Sequence, residues 1–344
     1  MKIVGTYNAP VIGSRSFGVR TNDARPVRTM DAAVQNAGAM LVSELEKLNP
    51  LLLQPLNSFT YPRDIPIKVG GGWVEFITQM NVDYGLTGGS GNGPVTAPGA
   101  NAIPVIQANV GKDKWVAHVF SAIMRIMFVD LQRGNITGRS LEQMLTDGMR
   151  LAYDKHMDEN VYVGMSAFGT TGLINNPNVA ASNVATGAGG TTFFNDKTAD
   201  EILADTNEII LSGWKAAEYD ESAIPNHLLM PHEQYNWIAT TKVSPIAEKT
   251  ILTFLLENNI AKINGSALQI YGVRWLKGAG AGGTDRMVSY VHNDRFIAAE
   301  ELVPLQRIMT APNTDAIAYD SVFSANLSEV EIFYTQPISY RDGI

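Results

Sequence analysis

Apolar residues at 34, 37, 41, 45 and 48 recur at the spacing of one helical face. They predict a helix from Met30 to Leu48, stopped by Asn49-Pro50. Residues 1–28 ahead of it are polar without a period and read as an extended arm. "YPRDIPI" (61–67) carries two prolines and reads as extended. Two segments rich in β-formers follow, "WVEFITQMNV" (73–82) and "AIPVIQANVGKDKWVAHVF" (102–120). Between them lies "DYGLTGGSGNGPVTAPGANAIPV" (83–105), dense in glycine and proline and without Lys or Arg. Strand, glycine-rich tip and strand predict a long hairpin. Val116, Val119, Ile123, Ile126 and Met127 then fall at helical spacing and predict a helix over 116–133.

Ser140 and Gln143 form a capping-box pattern that opens a long helix to about Val163. Its apolar stripe is Leu141, Met144, Leu145, Met149, Ala152, Tyr153 and Met157. Residues 164–193 are small, polar and turn-rich. Thr198 and Glu201 repeat the capping pattern and open a helix to about Glu218. "NHLLMPHEQYNWI" predicts a short strand and then a proline-started helix. Ser244-Pro245 predicts a helix start, running to about Asn258. Residues 268–276 and 286–300 read as strands, and the β pattern persists after 301. No repeat at a solenoid period is present.

Composition narrows the function. At 344 residues and 45% hydrophobic, the chain is ample for a core of more than one domain. Charged residues are only 17% and the net charge is −8, which disfavours a protein gripping nucleic acid through phosphates. The balance is uneven: Lys2, Arg15, Arg20, Arg25 and Arg28 face only Asp23 within the first 30 residues. A basic arm thus precedes an acidic body. With no cysteine, disulfides, thiolate zinc sites and thiol catalysis are excluded. The first residues lack the apolar run of a signal peptide, and "VFSAIMRIMFVDL" is broken by Arg125 and Asp130, so no membrane span is expected.

Catalytic chemistry is not legible. The glycine-rich stretch lacks the lysine of a phosphate loop. "GMSAF" (164–168) lacks the closing glycine of a nucleophile elbow, leaving Ser166 as a turn serine. "HEQYN" (232–236) has Asn where a second metal ligand belongs, and His227 with His232 has no supporting spacing. "DKHMDEN" puts Asp154 and Asp158 on one helical face; it reads as the solvated side of the long helix. No cofactor is expected.

The order of elements resembles the major capsid proteins of tailed phages with the Hong Kong 97-type fold, and their relatives the encapsulins. "GLINNPNV" (172–179) resembles the Gly-Leu-x-Asn-x-Pro turn where that family's spine helix leads into its axial domain. "YTQPISYRDGI" at the C-terminus is similar to the ending of a phage-derived subfamily. The fold implied is α+β. The resemblance implies an N-terminal arm (1–29), an extended loop (66–115), a discontinuous peripheral domain (30–65, 116–190 and 301–344) and an axial domain (191–300).

The same resemblance implies inter-subunit contacts at Arg15, Arg20, Arg25 and Arg28 of the arm. It implies them also at Tyr84, Gly85, Leu86, Gly88, Gly89, Gly91, Gly93 and Pro94 of the loop. Pro312, Asn313 and Asp315 fall in the loop that meets its copies at three-fold positions. A cross-link from the extended loop is not expected, since its tip has no lysine; Lys68, Lys112 and Lys114 sit near its base. Pentamers and hexamers of an icosahedral head enclosing double-stranded DNA, without sequence specificity, are the implied function. Portal and scaffolding or decoration proteins are the implied partners, and assembly in the host cytoplasm the implied setting. An encapsulin-type shell around enzyme cargo, an enzyme with its site in 191–300, and a tail or adhesion protein are the alternatives. The last would show repeats or heptads, which are missing.

Overall fold

A computed structural model describes residues 59–87, 105–137, 140–244, 246 and 248–344. The expected arm, the helix over 30–48 and the glycine-rich tip at 88–104 lie outside the described residues.

Among the described residues two sheets carry the fold. The first has the order β1-β8-β9-β3-β2, with β10 added on β8. These strands are β1 (Ile67–Val69), β2 (Phe76–Thr87), β3 (Val105–Met127), β8 (Ile297–Asn313), β9 (Ala318–Ser328) and β10 (Glu331–Ile332). The second has the order β4-β11-β7-β5-β6. Its strands are β4 (Ala180–Asn183), β5 (His227–Met230), β6 (Gln269–Gly272), β7 (Arg286–Tyr290) and β11 (Ser339–Asp342). Helices α1 (Tyr61–Asp64), α2 (Phe128–Thr137) and α3 (Leu141–Tyr162) accompany the first sheet in sequence. Helices α4 (Ala199–Ala216), α5 (His232–Thr240), α6 (Ile251–Asn258) and α7 (Ile260–Ile263) accompany the second.

The long helix forms as its pattern predicts. The Ser140 hydroxyl accepts from the Gln143 N–H at 3.3 Å, and Leu141, Leu145 and Met149 pack with Met124, Ile126 and Phe323 of the sheet. Thr198 caps α4 through a complete capping box with Glu201.

Four expectations need correction. Residues 116–127 are strand, not helix: β3 pairs with β9 from Ala117–Ser328 to Met127–Ala318 without a bulge. Only at Phe128 does a helix begin. The helix expected from Ser244-Pro245 starts instead at Ile251, capped by Thr250. "YPRDIPI" is not extended throughout; Tyr61–Asp64 makes one helical turn with proline in its first turn. Asp158 is not on a solvated face. It is 1% exposed and accepts from the Thr60 N–H (2.8 Å), the Trp275 indole (2.7 Å) and the Arg274 guanidinium (3.0 Å).

The turn "GLINNP" folds back onto the end of α3. Leu173 and Ile174 donate to the carbonyls of Val161 (3.0 Å) and Tyr162 (3.1 Å), and the Asn175 amide donates to Val163 O at 2.7 Å. These bonds satisfy carbonyls that a helix end leaves unpaired. Gly172 is required there, because a Cβ would stand 2.2 Å from Tyr162 O. The C-terminal residues close the same corner. Tyr340 donates to Leu173 O at 2.5 Å, and Arg286 forks onto Asp342 while donating to Ile174 O at 2.7 Å. The second sheet thus takes in 180–183 and 339–342, both outside the expected 191–300 division.

Candidate inter-subunit surface

β2 and β3 pair antiparallel from Phe76–Val116 to Thr87–Val105. Side chains alternate across such a ribbon, so paired residues share a face. One face carries Phe76, Met80, Val82, Tyr84 and Leu86 of β2 with Ile106, Ala108, Val110 and Val116 of β3. Thr78, Lys112 and Lys114 are its only polar members. The other face carries Gln79, Asn81, Asp83 and Gly85 against Gln107, Asn109, Gly111 and Asp113, with Ile77 and Trp115 at the base.

The two faces meet different surroundings. Trp115 packs edge-on against Phe333 at 5.3 Å, turning the polar face toward the subunit's own body. A groove of about 900 Å3 lies beside the ribbon, lined by Asn81, Asp83 and Asp113 with Asn176 and Arg295, and also by Met80, Val82 and Lys114 from the other face. The apolar face is bare: Tyr84 is 77% exposed, Met80 and Ile106 are 70%, and Phe76, Val82, Leu86 and Val110 are also exposed. Full burial of such a side chain is worth roughly 1.5–3 kcal/mol. Covering this half-exposed set therefore yields on the order of 5–10 kcal/mol. A contiguous apolar patch of this kind marks an interaction surface.

The base of the ribbon is anchored by backbone chemistry. Gly70, Gly71 and Gly72 all have positive φ (122°, 124° and 78°), which carries the chain from β1 to β2. The buried Asn326 amide clasps this strap, donating to the carbonyls of Gly72 (3.1 Å) and Val74 (3.0 Å).

A second bare apolar surface lies on the body. Within β3, His118, Phe120, Met124 and Ile126 face inward, which leaves Val119, Ile123 and Met127 exposed on the opposite side. Met309 of β8 joins them, since Ile123 and Met309 both pair with Val322.

The expected contact residues distribute as follows. Tyr84 and Leu86 lie on the apolar ribbon face, and Gly85 on the polar one. Gly88, Gly89, Gly91, Gly93 and Pro94, like Arg15, Arg20, Arg25 and Arg28, lie outside the described residues. Pro312 and Asp315 are exposed at the β8–β9 turn. Asn313 shapes that turn, donating to Asp320 at 2.9 Å and accepting from the Ala316 N–H at 3.2 Å. Arg125 forks onto Asp320 (2.7 and 2.8 Å) and, with Asn313, holds its carboxyl down to about 2. Phe76, Met80, Val82, Ile106 and Val110 were missed from the sequence, although their in-phase alternation on two strands carries the signal. Among the described residues no group of three or more His, Asp or Glu side chains is placed to hold a metal. Ser166 sits in a short helical turn, its carbonyl accepting from the Gly169 N–H.

Comparison with known proteins decides what this surface belongs to. A model of the major capsid protein family matches residues 92–344, well over half of the chain. This chain belongs to the major capsid protein family. No curated protein sequence matches it. Among solved structures, the capsid of Myoviridae phage XM1 superposes with a TM-score of 0.74 at 18% identity, covering 90% of this chain and 100% of that one. The capsid of the native GTA particle gives 0.58 at 13% identity, covering 91% and 99%. Mycobacterium phage Bobi gives 0.54 at 13%, covering 88% and 96%. The capsid subunit has the α+β fold of the Hong Kong 97 type and is a structural shell protein that assembles with itself. Among the described residues no helix is long and apolar enough to cross a membrane.

Proposed function

We propose that the β2–β3 ribbon is the extended loop of this capsid subunit, laid by its apolar face on a neighbouring copy within pentamers and hexamers of an icosahedral head. The observation that carries this reading is the segregation of the ribbon: polar side chains toward the subunit's own body, bare apolar side chains away from it. A two-stranded ribbon is marginally stable in water, so a face of this kind calls for a partner surface. Self-association of one sequence supplies that surface in every copy. The first sheet with α3 then serves as the peripheral domain, and the second sheet with α4 to α7 as the axial domain. The β8–β9 turn, with Pro312, Asn313 and Asp315, meets its copies at three-fold positions, and Arg15, Arg20, Arg25 and Arg28 contact acidic neighbours. The head encloses double-stranded DNA without sequence specificity, is completed by portal and scaffolding or decoration proteins, and assembles in the host cytoplasm.

The test is a charge placed on either face. Val82→Asp and Val110→Asp, paired on the apolar face, are expected to leave the subunit folded by circular dichroism yet abolish shells in electron micrographs. Gln107→Glu on the polar face, opposite Gly85, is expected to assemble. Normal shells from the Val82→Asp/Val110→Asp double variant would sink the contact reading. DNA inside purified shells supports the phage head; protein cargo in its place would favour an encapsulin-type compartment.

A further inference from the structure

Four of the five histidines form two pairs. One pair stands at the seam between α3 and the first sheet. His118 of β3 is 4% exposed, and neither of its ring nitrogens has a hydrogen-bond partner among the described residues. His156 of α3 meets it edge-on at 5.7 Å, with its own Nε2 buried and unpartnered. Aromatic rings close the site: Phe168 stacks on His118 at 5.5 Å, and Phe120 lies 5.1 Å from His156. Burying a polar nitrogen without a partner carries a cost, and structures rarely keep three such atoms together without a role for them.

We propose that His118 and His156 form a proton-sensitive latch, holding α3 against the first sheet only while both rings are neutral. Neutral, the rings pack as flat, weakly polar plates among aromatics. A proton on His118 creates a cation with no acceptor among the described residues, only Glu159 attracts a proton on His156, and two protons create two cations at ring-contact distance. Relief comes when the seam parts and water reaches the nitrogens. Phe168, exposed on its outer side, is the cover that has to move.

The surroundings agree with this role. Burial first, and then His156, hold the His118 imidazole down to about 4; burial lowers His156 as well. Glu159, in the same helix, favours the His156 cation but does not outweigh burial. Other carboxylates packed around the seam are engaged: Glu329 accepts from the Val116 N–H at 2.8 Å, and Glu301 accepts from the Tyr153 hydroxyl. A histidine freed by opening titrates near 6.5. The open state therefore takes up protons that the closed state refuses as pH falls from about 6.5 toward 4. In that window the opening equilibrium rises about tenfold per pH unit through His118, and His156, lowered in the same direction, adds to the slope. Above it the latch is fully closed.

The second pair controls for position alone. His227 and His292 stack at 4.4 Å in and beside the second sheet, and burial lowers both imidazoles, His227 to about 4. His292 Nε2 is also buried without a partner among the described residues, while His227 Nδ1 has Asn226 Oδ1 at 3.1 Å.

Hydrogen exchange by mass spectrometry on assembled shells tests the latch. After correction for intrinsic rates, peptides from 141–162 are expected to open at least tenfold more per pH unit below 6.5 in the wild type. The double variant His118→Leu/His156→Leu is expected to lose that slope, while His227→Leu keeps it. Should the double variant fail to fold, C2–H exchange of the histidine rings in the wild type reads each titration directly. An undiminished slope in the double variant, or a His118 ring titrating near 6.5 in intact shells, would overturn the proposal.

Discussion

Glu331 shows how much a single buried carboxylate alters the pH response of this subunit. It is 1% exposed in β10, with one oxygen unpartnered. Burial, and then the neighbouring Glu300, push its carboxyl from 4.5 up to about 7. The folded chain thus holds a proton between pH 4.5 and 7 that the unfolded chain releases. Its contribution is fully present below 4.5 and is lost as pH rises through 7. Glu331→Gln removes this dependence. In chemical denaturation of unassembled subunits, the wild type is expected to lose on the order of 3 kcal/mol relative to the variant between pH 4.5 and 8. Parallel pH profiles would refute it. Gly172 is a steric case: Gly172→Ala drives a methyl into Tyr162 O and is expected to cost on the order of 3 kcal/mol in the same assay. A cost below 1 kcal/mol would mean that the corner of α3 and the second sheet yields easily.

At the scale of elements, legibility followed the number of faces each element buries. α4 buries one stripe, α3 buries part of one up to Met157 and most of its girth beyond, and both carry side-chain caps, so their starts were readable while the burial of Asp158 was not. The β2–β3 pairing was readable from its β-formers and glycine-rich connection. β3 beyond residue 116 was not. Its inward residues pack on α3, while Val119, Ile123 and Met127 on the outward side are apolar as well. A strand that is apolar on both sides loses its period of two, and the residual spacing imitates a helix. Ser244-Pro245 misled for another reason: serine and proline fit a helix start, but Thr250 caps the helix that forms. The ribbon makes a prediction at this scale. In unassembled subunits the amides of 76–87 and 105–116 are expected to exchange at least a hundredfold faster than in shells, while those of β5 and β7 change little. Equal protection in both states would mean that no neighbour covers the ribbon.

For the whole molecule, the chain by itself determined the capped starts of α3 and α4 and the paired strands of the hairpin, but not the full order of elements, since 116–127 is strand where its spacing predicts helix. Each is written in local periodicity, caps and turn residues. It also carried the capsid resemblance through "GLINNPNV" and "YTQPISYRDGI", although it did not show that these two segments meet. Only the tertiary structure placed Tyr340 against Leu173 and Asp342 against Arg286, partners separated by 167 and 56 residues. It likewise decided that Asp158 is a buried acceptor, that His118 and His156 face each other, and which side of the ribbon stays bare. The physical reason is common to all of these. Burial and pairing at long separation depend on what covers a residue, and a covering surface from elsewhere in the fold leaves no period in the local sequence.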